Sequence, residues 1–165
     1  MIRPVQLADA PALADLYNPY IRDTTITFEE EPVTAEEMAA RIAKVTESYP
    51  WLVWEEEGRV LGYAYSSVWR ARAAYRHSTE TAIYFALNQG GKGRGTLLYQ
   101  ALLDELRQRG FHLVLGGLAL PNEASVRLHE KLGFRKAGHM REAGRKFGRW
   151  IDVGFWELLL QEEAP

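Results

Sequence analysis

The stretch Gly91-Lys92-Gly93-Arg94-Gly95-Thr96 separates an apolar, strand-like run (Ala82–Leu87) from a strongly helical one (Leu97–Arg109). A strand, a glycine turn and a helix N-terminus in that order make a seat for a pyrophosphate. Glycines at alternate positions let the backbone approach a ligand without Cβ clashes, and the free N–H groups of the helix's first turn, with its dipole, favour negative oxygens. Two better-known phosphate loops do not fit. The triphosphate loop needs Gly-x-x-x-x-Gly-Lys-Ser/Thr; Gly90 and Gly95 have that spacing, but Thr96 follows directly and the Lys is missing. The dinucleotide fingerprint Gly-x-Gly-x-x-Gly belongs early in a βαβ unit, whereas this loop reads Gly-x-Gly-x-Gly and lies past the middle of the chain. A glycine-rich turn without a ligand is the alternative that the local motif leaves open.

Upstream of the loop, Ile2–Leu7 reads as a strand, and Asp9 caps a helix with Leu13, Leu16, Tyr17, Tyr20 and Ile21 at helical spacing. Thr34 and Glu37 form a capping box for a second helix, whose stripe Met38, Ile42, Val45 runs to about Ser48. Trp51–Glu55 and Val60–Trp69 flank the turn Glu56-Glu57-Gly58-Arg59 and predict an antiparallel hairpin; Thr79–Leu87 then feeds the glycine loop. The helix beyond it carries Leu98, Leu102 and Leu106 on one face and ends at Gly110. His112–Leu120 is a buried strand, Asn122 caps a helix that stops at Gly133-Phe134, and strands near Arg135–Gly144 and Trp150–Leu160 turn at Lys146-Phe147-Gly148-Arg149. The order β-α-α-β-β-β-α-β-α-β-β predicts an α/β mixed sheet with antiparallel N-terminal strands and a central parallel pair across the glycine loop, as one domain over residues 1–165.

A hydrophobic content of 47% over 165 residues suits one large core and excludes disorder. No apolar stretch approaches 18 residues and Met1–Leu7 lacks a signal pattern, so a soluble, cytoplasmic protein with no membrane partner is expected. Zero cysteines exclude disulfides, thiol nucleophiles and thiolate metal sites. His77, His112, His129 and His139 have no ligand spacing, so no metal is expected. The net charge of −2 argues against a nucleic-acid partner, although Arg70, Arg72 and Arg76 cluster locally.

These residues resemble the GNAT superfamily of acetyl-CoA-dependent N-acetyltransferases, whose core runs in this order. Gly91–Gly95 is similar to the family's pyrophosphate loop, Leu120-Pro121-Asn122-Glu123-Ala124-Ser125 to the segment whose Asn contacts the cofactor, and Ser125–Phe134 to the helix closing the site. Trp69-Arg70-Ala71-Arg72-Ala73-Ala74-Tyr75 and Lys146–Val153 resemble the phosphinothricin and methionine sulfoximine acetyltransferase branch. One departure stands out, because the family loop opens with Gln or Arg where this chain has Gly90, and Gln89 lies one residue off. The backbone amides of residues 91 to 96 carry most of the anion site, with positive charge from Lys92 and Arg94.

The resemblance implies acetyl-CoA as co-substrate, bound by Ile83, Tyr84, Phe85, Gly91, Lys92, Gly93, Arg94, Gly95, Thr96, Asn122 and Lys131. An amine must lose its proton before it attacks a thioester, and the resemblance puts the general base at Glu80, acting through a water. A solvated strand-end glutamate, or a partner for Arg76, is the plain alternative. At the position of the superfamily's usual Tyr stands His129, which would hydrogen-bond or relay a proton to the departing sulfur, or else pack on the cofactor arm. Backbone donors where the strand splays at Tyr84-Phe85 would hold the oxyanion. Arg72, helped by the N–H groups of Ala73, Ala74 and Tyr75, suits a substrate carboxylate, and Phe28 with Glu29 falls where the branch covers its substrate. Trp51, Trp54, Trp69 and Trp156 are expected to fill core or interface positions. The expected activity is acetyl transfer to the α-amine of a small amino acid or analogue, without a covalent enzyme intermediate, in a homodimer. Acetylation of protein N-termini or polyamines, and a non-catalytic acyl-CoA sensor, are the alternatives.

Overall fold

Amphipathic helices and apolar strands alternate along this chain, so each helix must cover one face of a sheet built by the strands between. The computed structural model describes residues 1–89 and 91–161. Its elements are β1 (Ile2–Pro4), α1 (Ala10–Asp23), α2 (Ala35–Thr46), β2 (Trp51–Glu56), β3 (Arg59–Val68), β4 (Ser78–Phe85), α3 (Arg94–Gln108), β5 (Leu113–Ala119), α4 (Glu123–Lys131), β6 (Arg135–Lys146) and β7 (Arg149–Leu159). The described strands form one sheet in the order β1-β2-β3-β4-β5-β7-β6, in which only β4 and β5 run parallel. This is the mixed sheet that the sequence order predicts.

Two cores lie on opposite faces. On one, α1 and α2 set Leu13, Tyr17, Ile21, Met38 and Ile42 against Val53 and Tyr63. On the other, α3 buries Leu98, Leu102 and Leu106 against Val114, Phe134 and Trp156. Each of those leucines is fully buried, and truncation to Ala at such a position costs about 2–5 kcal/mol. The packing of α3 is therefore what holds its N-terminus still at the glycine loop.

Several boundaries differ from the sequence reading. The first strand stops at Pro4, because the Asp9 carboxylate accepts the Gln6 N–H and the Arg3 guanidinium, each at 2.8 Å, and winds Leu7–Asp9 into a 3-10 turn. Asp9 thus makes no side-chain cap on α1. Leu87 leaves the strand for an exposed turn, and α3 starts three residues early, at Arg94. Trp69 is half-buried and packs edge-on against Tyr75, bracing its own loop instead of a core.

Candidate active site

β4 and β5 pair over three residues, Ser78–Glu80 against Leu113–Leu115. Beyond Glu80 each strand keeps its outer partner, β3 or β7, but not the other, and a cleft opens between them. Ala86 N–H donates to the Leu61 carbonyl at 2.9 Å, so by the antiparallel alternation Tyr84 and Ala82 pair with β3 while Ile83 and Phe85 turn their backbone groups to the cleft. The Phe85 carbonyl accepts the Tyr20 hydroxyl at 2.5 Å. The N–H groups of Ile83 and Phe85 remain as donors directed into the opening. Tyr84 contributes its side chain to the inner wall and to an aromatic cluster with Tyr17, Tyr20 and Tyr63.

The outer cleft has a volume of about 330 Å³ and is lined by Ile83, Phe85, Gly91, Gly93, Gly95, Thr96 and Asn122, all expected from the sequence. Backbone φ is positive at Gly91, Lys92 and Gly93, at 86°, 57° and 73°. A Cβ at Gly91 or Gly93 would meet nothing within 4 Å, so both glycines border open space. α2 and α4 have side-chain caps, from Thr34 and Asn122, but Gly93 gives α3 none. The first intrahelical donor of α3 is Leu97, bonded to the Gly93 carbonyl at 3.1 Å, which leaves the amides of Arg94, Gly95 and Thr96 for an external anion. A pyrophosphate fits this uncapped end.

The guanidinium of Arg94 does not add free charge there. It holds Glu56 through Nε at 2.9 Å and Nη2 at 2.5 Å, and Gln89 at 3.0 Å, tying the loop to the end of β2. Lys92 is exposed beside the loop, and Gly90 lies outside the described residues. Lys131 is exposed at the last residue of α4, away from the cleft lining.

His129 is 2% exposed. Its Nδ1 lies 2.8 Å from the Ser125 carbonyl and its Nε2 3.0 Å from the Tyr99 hydroxyl, and burial pushes its pKa down, so the ring is neutral. The ring also packs on Gly116, where a Cβ would fall 2.5 Å from Nε2.

Glu80 is the last residue of β4 paired with β5 and stands at the vertex of the cleft. Its carboxylate lies over Gly117, where a Cβ would be 3.0 Å from Oε1. Arg76 is not its partner: that guanidinium donates to the Ala73 carbonyl at 3.2 Å. Burial raises the Glu80 pKa from the ordinary carboxylate range. Arg72 is exposed at the start of the 3-10 turn Ala73–Tyr75, whose geometry spends the Tyr75 N–H on the Arg72 carbonyl at 2.9 Å. Of the three expected amide donors, Ala73 and Ala74 are left.

Phe28 packs on Gly144 of β6, where a Cβ would run into its ring. Glu29 is committed to structure: Arg41 holds both of its oxygens, at 2.5 and 2.9 Å, and Tyr17 donates to one at 2.5 Å. The hydrogen bonds from Arg41 hold that carboxyl below its usual range. Lys146, buried, donates to the Thr27 carbonyl at 2.8 Å and clamps the same loop to β6.

The sequence model described as "Acetyltransferase (GNAT) domain" matches residues 2–154. The chain belongs to the GNAT acetyltransferase family. It is accordingly an acetyl-CoA-dependent N-acetyltransferase. The phosphinothricin N-acetyltransferase of Streptomyces coelicolor is 46% identical over 160 residues, covering 94% of each chain. The L-methionine sulfoximine/L-methionine sulfone acetyltransferase of Pseudomonas paraeruginosa is 38% identical over 161 residues, covering 96% of this chain and 94% of that protein. The solved structure of a GNAT phosphinothricin acetyltransferase from Sinorhizobium meliloti in complex with acetyl-CoA superposes with a TM-score of 0.93 at 34% identity, over 96% of this chain and 87% of that one.

The GNAT cleft also contains residues that sequence reasoning passed over. Ser125 and Leu128 follow Asn122 at helical spacing on one face of α4, a signal that was available. Tyr20 and Ile26 come from the far end of the chain, and nothing local marks them. Among the described residues, no three His, Asp or Glu side chains converge as metal ligands, and no helix is long and apolar enough to cross a membrane.

Proposed function

We propose that the enzyme transfers the acetyl group of acetyl-CoA to the α-amine of a small free amino acid or analogue, of the phosphinothricin or methionine sulfoximine and sulfone type. The relatives named for those substrates support the acceptor class. The single observation that carries the chemistry is Glu80, a half-buried carboxylate at the vertex of the β4–β5 cleft with a raised pKa and no ion-pair partner among the described residues. Desolvation makes it a better base than an exposed carboxylate.

Acetyl-CoA supplies an activated acyl thioester. The uncapped amides of α3 and Asn122 bind it, and the N–H groups of Ile83 and Phe85 stabilise the charge that develops on the acyl oxygen. Glu80 receives the amine proton through a water. Arg72, with the amides of Ala73 and Ala74, pairs with the substrate carboxylate, and Phe28 closes over the acceptor. Glu29 acts one step back, holding the Phe28 loop to Arg41. No cysteine is available to carry an acyl group, and the amine attacks the thioester directly.

Thiol release over a panel of acceptors tests this reading. Methionine sulfoximine, methionine sulfone and phosphinothricin should react far faster than their carboxamides. Equal rates for carboxamides, polyamines or peptide N-termini would contradict the carboxylate site.

A further inference from the structure

The protonation of His129 fixes the direction of a proton on its neighbour. The Ser125 carbonyl can only accept, so the 2.8 Å contact puts the hydrogen on Nδ1. Nε2 is then the acceptor and takes the Tyr99 hydroxyl at 3.0 Å; with the Tyr99 proton spent there, the 2.5 Å contact with Thr81 Oγ1 must use the Thr81 proton, in preference to the Leu115 carbonyl at 3.2 Å. The ring borders the inner end of the cleft, but both of its nitrogens are bonded within the protein, and Gly116 blocks the ring from one side. His129 has neither a proton nor a lone pair left for an atom in the cleft.

Ser125 is in the opposite position. Its Oγ lies 3.4 Å from Nδ1, a protonated nitrogen that cannot accept, so the hydroxyl proton must point elsewhere. The residue is half-buried and lines both the outer cleft and its inner end between β4 and β5. Among the described residues the hydroxyl has no other hydrogen-bond partner, so its donor faces the cleft.

We propose that the Ser125 hydroxyl, and not the His129 imidazole, donates a hydrogen bond to the sulfur of acetyl-CoA as the thioester breaks, with His129 as the positioning residue that denies Ser125 an internal acceptor. This rests on the reading of the cleft as the acetyl-CoA site. When the C–S bond breaks, its electron pair stays on sulfur as the CoA thiolate, and Ser125 shares its proton without losing it. The amine proton passes through Glu80 to solvent, and the released thiolate takes a proton from solvent, so no alkoxide or imidazolium forms.

A donor at the sulfur stabilises the thiolate and lowers the thiol pKa of bound CoA, which the ultraviolet absorbance of the thiolate reports without turnover. Ser125→Ala should raise the pKa of bound CoA by about one unit, lower kcat by roughly 10–100-fold and change CoA affinity by less than about threefold. Ser125→Thr keeps the hydroxyl and should restore both values. An unchanged thiol titration in Ser125→Ala, or a loss that Thr does not restore, would overturn the assignment while leaving the cleft intact. Failure of CoA to bind the unmodified enzyme would remove the cleft reading and the donor with it.

Discussion

A half-buried carboxylate without a partner costs stability, and Glu80 has none among the described residues. Its folded pKa is raised by desolvation, so folding favours its protonated form: the ionised form is penalised above the carboxylate range, and the penalty fades as pH falls. Glu80→Gln should therefore melt higher than the unmodified enzyme at pH 7, with the difference closing toward pH 4; an equal or lower melting temperature at pH 7 would mean the carboxylate is compensated. His129 behaves in the opposite way. Truncation to Ala takes the acceptor from the Tyr99 hydroxyl and removes the ring packed on Gly116, at about 1–3 kcal/mol for the unpaired donor alone. At about 2–4 °C per kcal/mol for a chain of this size, thermal unfolding should show a drop of several degrees. An unchanged melting temperature would show that the chain Thr81–Tyr99–His129 contributes little to the core.

At the scale of elements, the proposed reaction assigns the glycine loop and the Phe28 loop to different substrates. Gly93 combines a φ of 73° with open space on its Cβ side, so Gly93→Val strains the backbone and projects a branched side chain into the anion seat. Calorimetry should find CoA binding abolished. Gly95 is helical, and a Cβ there would meet Leu128 at 3.7 Å, an ordinary contact, so Gly95→Ala should fold well and bind CoA within a few-fold. If both variants bind alike, the loop is not the anion site. On the acceptor side, Gly144→Ala must push the Phe28 ring from its seat on β6, and steady-state kinetics should show a several-fold higher KM for the amine with CoA affinity unchanged. The glycine loop was legible because glycine spacing and helix caps are local signals, and the parallel pairing of β4 with β5 followed from element order. The role of Glu29 was not legible. A run of acidic residues looks the same whether solvated or paired, and only packing brings Arg41 and Tyr17 to it. Arg94 misled for the same reason, since its partner Glu56 lies 38 residues away.

Across the whole molecule, the site exists because two strands that share three residues of pairing are pulled apart by their outer neighbours, with α4 set at the opening. Resemblance could point to a splay at Tyr84-Phe85 and name Glu80, Ile83 and Asn122, but no stretch of sequence places Tyr20 beside Ile83 and Asn122 in one cleft lining. The central claim is that Glu80, at the vertex, takes the amine proton during direct transfer. The measurement that tests it most directly is the rate of methionine sulfoximine acetylation by Glu80→Gln against pH, with CoA affinity measured on the same protein. The account predicts a loss of about 10²-fold or more at neutral pH, shrinking at high pH as free amine becomes abundant, with CoA affinity unchanged. A near-normal neutral rate in a variant that binds CoA normally would contradict it.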